Sequence, residues 1–201
     1  MIVLITDRKS CGEKKQSIVI KELLKAEIDA IMIREKDLSN RELIEYSKEL
    51  MSMDERHSTK WIINGNIDVA KMLKAWALHI SFKDIDGIRD KWTGRFGVSV
   101  HSVEEAIRAE MAGADYLVAG NIYETSCKKG LCGKGLDYIR SMRECIKIPI
   151  VGIGGITPEK VSELKNTGID GVAIRSWLLE HENPFGGIME LKEANLGIKR
   201  L

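Results

Sequence analysis

His101 stands between an apolar, β-branched run, Arg95 to Val100, and Ser102-Val103-Glu104-Glu105, an S-x-x-E pattern that opens helices. That spacing holds an imidazole, the side chain suited to moving protons near neutral pH, at the carboxyl end of a strand. Cations follow a second apolar run in Ile33-Arg34-Glu35-Lys36-Asp37, and lysines pair in Tyr123-Glu124-Thr125-Ser126-Cys127-Lys128-Lys129-Gly130. Converging on one mouth, Arg34, Lys36 and Lys128 would form a cationic funnel for a phosphate or carboxylate. In Gly152-Ile153-Gly154-Gly155-Ile156-Thr157-Pro158 the paired glycines let backbone N–H groups point into one concavity. Thr157 suits the cap and Pro158 the first position of the helix that follows. Each feature also has a plainer reading alone: a satisfied histidine at a strand edge, solvated lysines, a tight turn.

The elements that must position these residues alternate along the chain. Strand-like runs fall at Ile2–Thr6, Ala30–Arg34, Lys60–Asn64, Trp76–Ile80, Arg95–Val100, Tyr116–Gly120, Ile150–Ile153 and Gly171–Ile174. Helical patterns lie near Gln16–Ala26, Arg41–Met53, Ile67–Lys74, Val103–Met111, Leu136–Cys145, Pro158–Lys165 and after Pro184, with a short one expected at Ser176. The fourth connection, around Ile85–Lys91, carries only a short helical pattern. Strand and helix in alternation predict one α/β domain over residues 1–201, a compact closed parallel (β/α)8 TIM barrel. A doubly wound open sheet is the alternative, but no G-x-G-x-x-G follows a strand. In a barrel, the loops after strands seven and eight and a short extra helix commonly grip phosphate. That places Gly154, Gly155, Arg175 and Ser176 as an anion site.

Composition narrows the classes further. The 201 residues carry 31 Lys and Arg against 30 Asp and Glu, a net charge of +1 that gives no reason to invoke nucleic acid. No apolar run approaches the roughly 20 residues that span a bilayer, and the first residues read as a strand, so a cytoplasmic protein without membrane partners is expected. The four cysteines, Cys11, Cys127, Cys132 and Cys145, lack metal-ligand spacing, and reduced thiols are expected. His79 falls late in the fourth strand and could face the barrel interior in a core or supporting role. His57 and His181 lie in polar surroundings. Trp61 and Trp76 open strands at the end away from the site, which favours packing.

The series Leu4-Ile5-Thr6-Asp7, Ile33-Arg34-Glu35-Lys36, Ile62-Ile63-Asn64-Gly65, Gly97-Val98-Ser99-Val100-His101-Ser102, Cys127-Lys128-Lys129-Gly130 and Ile153-Gly154-Gly155-Ile156-Thr157-Pro158 resembles the thiamin phosphate synthase/TenI superfamily. The resemblance implies the barrel, a role in thiamin biosynthesis and a homodimer. It also implies one of two activities. A synthase joins a pyrimidine pyrophosphate to a thiazole phosphate with magnesium; a TenI-type tautomerase aromatises a thiazole carboxylate phosphate by moving a proton. Synthases follow the third-strand asparagine with a magnesium-binding aspartate, here Gly65, whereas the place of a second, after the fourth strand, corresponds to Asp84. The second-strand glutamine that orients the pyrimidine is Met32, and a threonine of the pyrophosphate loop is Cys127. Lys36 is the synthase-like feature of its motif.

These departures favour the tautomerase branch, with no cofactor and with magnesium only in the synthase alternative. The expected substrate is a small phosphorylated thiazole. His101 would transfer the proton, Arg34 and Lys128 would hold the carboxylate, and Lys36, Asn64 and Thr125 would line the pocket. Gly154, Gly155, Arg175 and Ser176 would take the phosphate. Arg175 replaces a usually apolar residue, which leaves phosphate ligand, salt-bridge partner and subunit contact open. A non-catalytic thiazole-phosphate-binding regulator is the remaining alternative.

Overall fold

The structure, a computed structural model, describes residues 1–124 and 132–194. Eight parallel strands close into a barrel in sequence order. They are β1 Ile2–Ile5, β2 Ala30–Ile33, β3 Lys60–Asn64, β4 Ala77–Ser81, β5 Phe96–Val100, β6 Tyr116–Ala119, β7 Ile150–Ile153 and β8 Gly171–Ile174. The closing pair is β1 with β8, in the register Ile2↔Val172, Val3↔Ala173 and Leu4↔Ile174.

Both faces of every strand are covered, which is why the strands read as nearly continuous apolar runs. Val3, Ile5, Ala30, Met32, Ile62, Ala77, Tyr116, Val118, Val151 and Ala173 form the barrel interior. Their alternates, among them Leu4, Ile31, Ile63, Leu78, Val98, Leu117 and Val172, pack outward against the helices. Trp76 floors the interior, 6.3 Å from the Tyr116 ring, with Lys60 and Arg95 against its face. Trp61 is buried in the outer layer, and its indole N–H donates to Asp54.

The helices are α1 Arg8–Cys11, α2 Glu13–Lys25, α3 Asn40–Ser52, α4 Ile67–Met72, α5 Ile88–Lys91, α6 Val103–Met111, α7 Gly135–Cys145, α8 Pro158–Leu164, α9 Ser176–Glu180 and α10 Pro184–Ala194. The fourth connection is a 3-10 turn, Phe82–Asp84, followed by the single turn of α5. Two expectations need adjusting. The turn α1 has no apolar periodicity and was not foreseen. The helix α6 starts as expected, with Ser102 capping Glu105, but the Glu105 carboxylate accepts from the N–H of His101, not from that of the cap residue. Full capping boxes need that last bond, and here Ser39 and Glu42 make one at α3. No helix among the described residues is long and apolar enough to cross a membrane. Cys11, Cys132 and Cys145 are free thiols.

Candidate active site at the carboxyl mouth of the barrel

Strand alternation carries the interior parity up to the mouth. On β2 the sequence Ala30, Met32, Arg34 keeps one face; on β3 it is Ile62 and Asn64; on β4 His79 and Ser81; on β5 Gly97, Ser99 and His101; on β1 Ile5 and Asp7; on β8 Ala173 and Arg175. The mouth is thus polar where the floor is apolar. Met32, in the place implied for a glutamine, is 1% exposed within the interior and offers a pyrimidine no hydrogen bond there.

Arg34 is half-buried, its backbone N–H held by Thr6 Oγ1 at 2.9 Å, and its charge reaches down to His79. Lys36 is exposed beyond it. Between them Glu35 turns the other way and is buried. It accepts two bonds of 3.2 Å from the N–H of Arg8 and one of 3.1 Å from Gln16 Nε2. Burial raises its pKa, partly offset by the hydrogen bonds from Thr6 and Arg8. Arg8 also pairs with Asp37, so α1 is clamped onto the end of β2. Asn64, half-buried, ends β3 in register with His79. Gly65 follows at φ +73, with nothing within 4 Å of where a Cβ would stand.

His101 sits on the rim with its side chain 51% exposed and Nδ1 3.5 Å from Glu105. Its carbonyl accepts from the Lys134 ammonium, which also lies over the Tyr138 ring. Lys134 is a cation at the mouth that the sequence reading passed over, although its glycine-flanked setting, Gly133-Lys134-Gly135, was visible.

The glycine turn after β7 is built against the β6 loop. Gly154 has φ +111 and Gly155 φ +61; a Cβ on Gly154 would stand 2.8 Å from Asn121 Cβ, and one on Gly155 would stand 2.3 Å from the Glu124 carbonyl oxygen. The Gly154 carbonyl accepts from Tyr123 N–H at 3.1 Å, and that of Gly155 from Lys160 Nζ at 2.9 Å. With both carbonyls taken by the protein, the turn offers a ligand its N–H side. Ser176 opens α9 beside it. Arg175 is one of the three things expected of it: a salt-bridge partner, its Nη1 3.2 Å from Asp7 Oδ2 across the β8–β1 seam. Thr125, Cys127 and Lys128 lie outside the described residues.

Of the remaining histidines, His57 is exposed as its polar surroundings suggested, whereas His181 is half-buried and packs edge-on against Trp177. His79 is buried inside the barrel, Nε2 2.8 Å from Ser99 Oγ and Nδ1 3.3 Å from Tyr116 Oη. Ser99 was missed as a mouth residue. Its signal was the alternation Gly97, Ser99, His101, which gives it the same parity as the histidine singled out.

The model of the thiamine monophosphate synthase family matches residues 2–178. A Clostridium acetobutylicum thiamine-phosphate synthase is 36% identical over 89% of this chain and 86% of its own. One from Pyrococcus horikoshii is 33% identical over 100% of this chain and 93% of its own. The structure of a thiamine phosphate pyrophosphorylase from Pyrococcus furiosus superposes with a TM-score of 0.87, at 30% identity, covering 99% of this chain and 96% of that one. These relatives overturn the tautomerase expectation, and with it the acid–base role given to His101. Gly65, Met32 and Cys127 were weighed as marks of another branch, yet relatives carrying the synthase name match across nearly the whole chain. The findings support an enzyme of thiamin biosynthesis, and the chain belongs to the thiamine monophosphate synthase (TMP-TENI) family.

Proposed function

We propose that this chain is a thiamin phosphate synthase, a transferase that joins a pyrimidine pyrophosphate to a thiazole phosphate. The observation that carries the reading is the 36% identity with a named thiamine-phosphate synthase over 89% of the chain, a span that includes most of the mouth-forming strand ends. In the reaction the thiazole ring nitrogen supplies the electron pair of a new C–N bond to the pyrimidine methylene. The C–O bond to pyrophosphate breaks, and pyrophosphate leaves with that electron pair. No proton need move, so the histidine on the rim has no acid–base task.

Two anionic groups must be held, and the mouth has two places for them. Arg34 and Lys36, just past the end of β2, suit the pyrophosphate, where negative charge grows as the bond breaks, and Lys128, outside the described residues, is the further cation proposed for it. The N–H side of the Gly154-Gly155 turn, with Ser176, suits the thiazole phosphate. Arg175 contributes through its pair with Asp7, which fixes the β8–β1 edge of that grip. Asn64 lines the wall between. Of the two carboxylates the family resemblance implies for magnesium, the chain keeps Asp84, exposed on the turn after β4, while Gly65 has no side chain. No three His, Cys, Asp or Glu side chains lie together as a cation cage among the described residues. These residues do not fit a magnesium ion held by the protein alone.

The reading is tested by incubating purified protein with pyrimidine pyrophosphate, thiazole phosphate and magnesium and assaying thiamin phosphate by chromatography. Product that requires both substrates is expected; no product at saturating concentrations of both overturns the reading.

A further inference from the structure

The barrel interior holds one buried polar chain that the reaction above does not use. Its members sit in register. Across β3 to β6 the aligned residues are Asn64, His79, Gly97 and Tyr116. Gly97 stands between the imidazole and the phenol, and a Cβ there would be 2.1 Å from Tyr116 Cζ. Its missing side chain is therefore what lets the Tyr116 ring stack on His79, with centroids 5.7 Å apart at 29°. The phenol hydroxyl then reaches His79 Nδ1 at 3.3 Å, and Nε2 reaches Ser99 Oγ at 2.8 Å. Ser99 is only half-buried and opens towards the mouth.

This wiring has a direction. The Tyr116 hydroxyl is buried, and among the described residues its hydrogen-bond partner is His79. A buried O–H left without an acceptor costs about 1–3 kcal/mol, so the phenol must donate to Nδ1. Neutral imidazole carries one N–H, which then lies on Nε2 and donates to Ser99 Oγ. With one lone pair of Oγ engaged, the Ser99 O–H is left to donate into the mouth. An imidazolium, which would donate at both nitrogens and reverse the first bond, is opposed by burial and by the Arg34 charge; together they lower the His79 pKa to about 3.

Resting on the synthase reading, we propose that His79 is a positioning residue: locked by Tyr116 as the Nε2–H tautomer, it makes Ser99 an obligate hydrogen-bond donor to an acceptor atom of the bound pyrimidine pyrophosphate. Gly97 is part of the same device because it admits the phenol.

The tautomer is read directly, without substrate, by 15N–1H correlation spectra of protein labelled in histidine. Wild type is expected to show His79 protonated at Nε2 alone between about pH 6 and 8. Tyr116→Phe, which keeps the ring and removes the hydroxyl, is expected to let the Nδ1–H form appear. A protonated Nδ1 in wild type, or an unchanged tautomer in Tyr116→Phe, overturns the proposal whether or not the chain is a synthase. Kinetics supply the second arm. Ser99→Ala should lower kcat/KM for pyrimidine pyrophosphate about tenfold or more, the loss of one hydrogen bond to a charged group. His79→Gln, whose amide N–H can stand where Nε2–H stood, should stay within about threefold of wild type. His79→Leu should match Ser99→Ala, and the double variant should be no worse than either, because His79 acts through Ser99. Losses that multiply in the double variant contradict the relay. If His79→Leu does not fold, the spectra and His79→Gln still decide. Absence of thiamin phosphate with wild type, beside an Nε2–H tautomer, removes the synthase reading and leaves the wiring intact.

Discussion

At Gly155 two demands meet. Its φ of +61 suits glycine, and a Cβ would stand 2.3 Å from the Glu124 carbonyl. Gly155→Ala is expected to cost about 1–3 kcal/mol of stability. If the turn holds the thiazole phosphate, KM for that substrate should rise more than kcat falls. Thermal unfolding and steady-state kinetics read the two effects; an unchanged KM in a variant that still folds would remove the turn from the phosphate site. His101 provides the opposite case. A proton-transferring group contributes roughly 10²–10⁴-fold, whereas a displacement that moves no proton needs none. His101→Asn should therefore retain thiamin phosphate formation within about tenfold, and a hundredfold loss of kcat would return a chemical role to the imidazole. The sequence showed His101 at a strand end because the apolar run stops there and the capping serine follows. It could not show that the ring is half in solvent, since that depends on how the rim packs, with Glu105 beside Nδ1 and Lys134 on the His101 carbonyl.

Elements lock to one another at the mouth through charged side chains. The α1 turn is fastened to β2 by Glu35, whose partners Arg8 and Gln16 lie 27 and 19 residues away. Glu35 has a folded pKa above its ordinary 4.5 because it is buried. A raised carboxyl pKa gives stability that is full below the unfolded value and is lost as pH rises through the folded one. The stability of wild type relative to Glu35→Gln should accordingly be greatest below about pH 4.5 and decline towards neutrality. Denaturant unfolding at several pH values measures this, and a relative stability that grows with pH would contradict it. The Asp7–Arg175 pair, part-buried on both sides, joins β1 to β8. Asp7→Asn and Arg175→Met should each lower the melting temperature, with the double variant losing less than the sum. Additive losses would mean the two charges do not cooperate.

Strand positions were legible because a closed barrel buries both faces, leaving apolar runs bounded by polar residues. The turn α1 was not: Arg8-Lys9-Ser10-Cys11 carries no apolar periodicity, and what holds it arrives from β2. The role of Gly97 was hidden for a related reason, since only the register of β5 against β6 puts a phenol where its side chain would be.

On the scale of the molecule, one interior runs from a Trp76 floor through an apolar layer to a polar mouth, and the proposed chemistry belongs to the upper end. The middle layer depends on a missing side chain at Gly97. Gly97→Ala is expected to overpack it at a cost of about 1–3 kcal/mol and to displace Tyr116 from His79. A crystal structure of the variant with the Tyr116 ring unmoved would contradict that packing. The outer layer is held shut by α10, where Lys192 Nζ donates to the carbonyls of Ala26 at 2.6 Å and Glu27 at 2.9 Å, after α2. The barrel itself does not choose a reaction. The branch was misjudged from sequence because three substitutions, at Met32, Gly65 and Cys127, were each given the weight of a lost contact, while the mouth around them was kept. The central claim is bond formation between two bound substrates, and it is tested most directly by a quenched time course that measures pyrophosphate and thiamin phosphate together. The account predicts one pyrophosphate for each thiamin phosphate and none without thiazole phosphate; pyrophosphate released with no thiamin phosphate formed would contradict it.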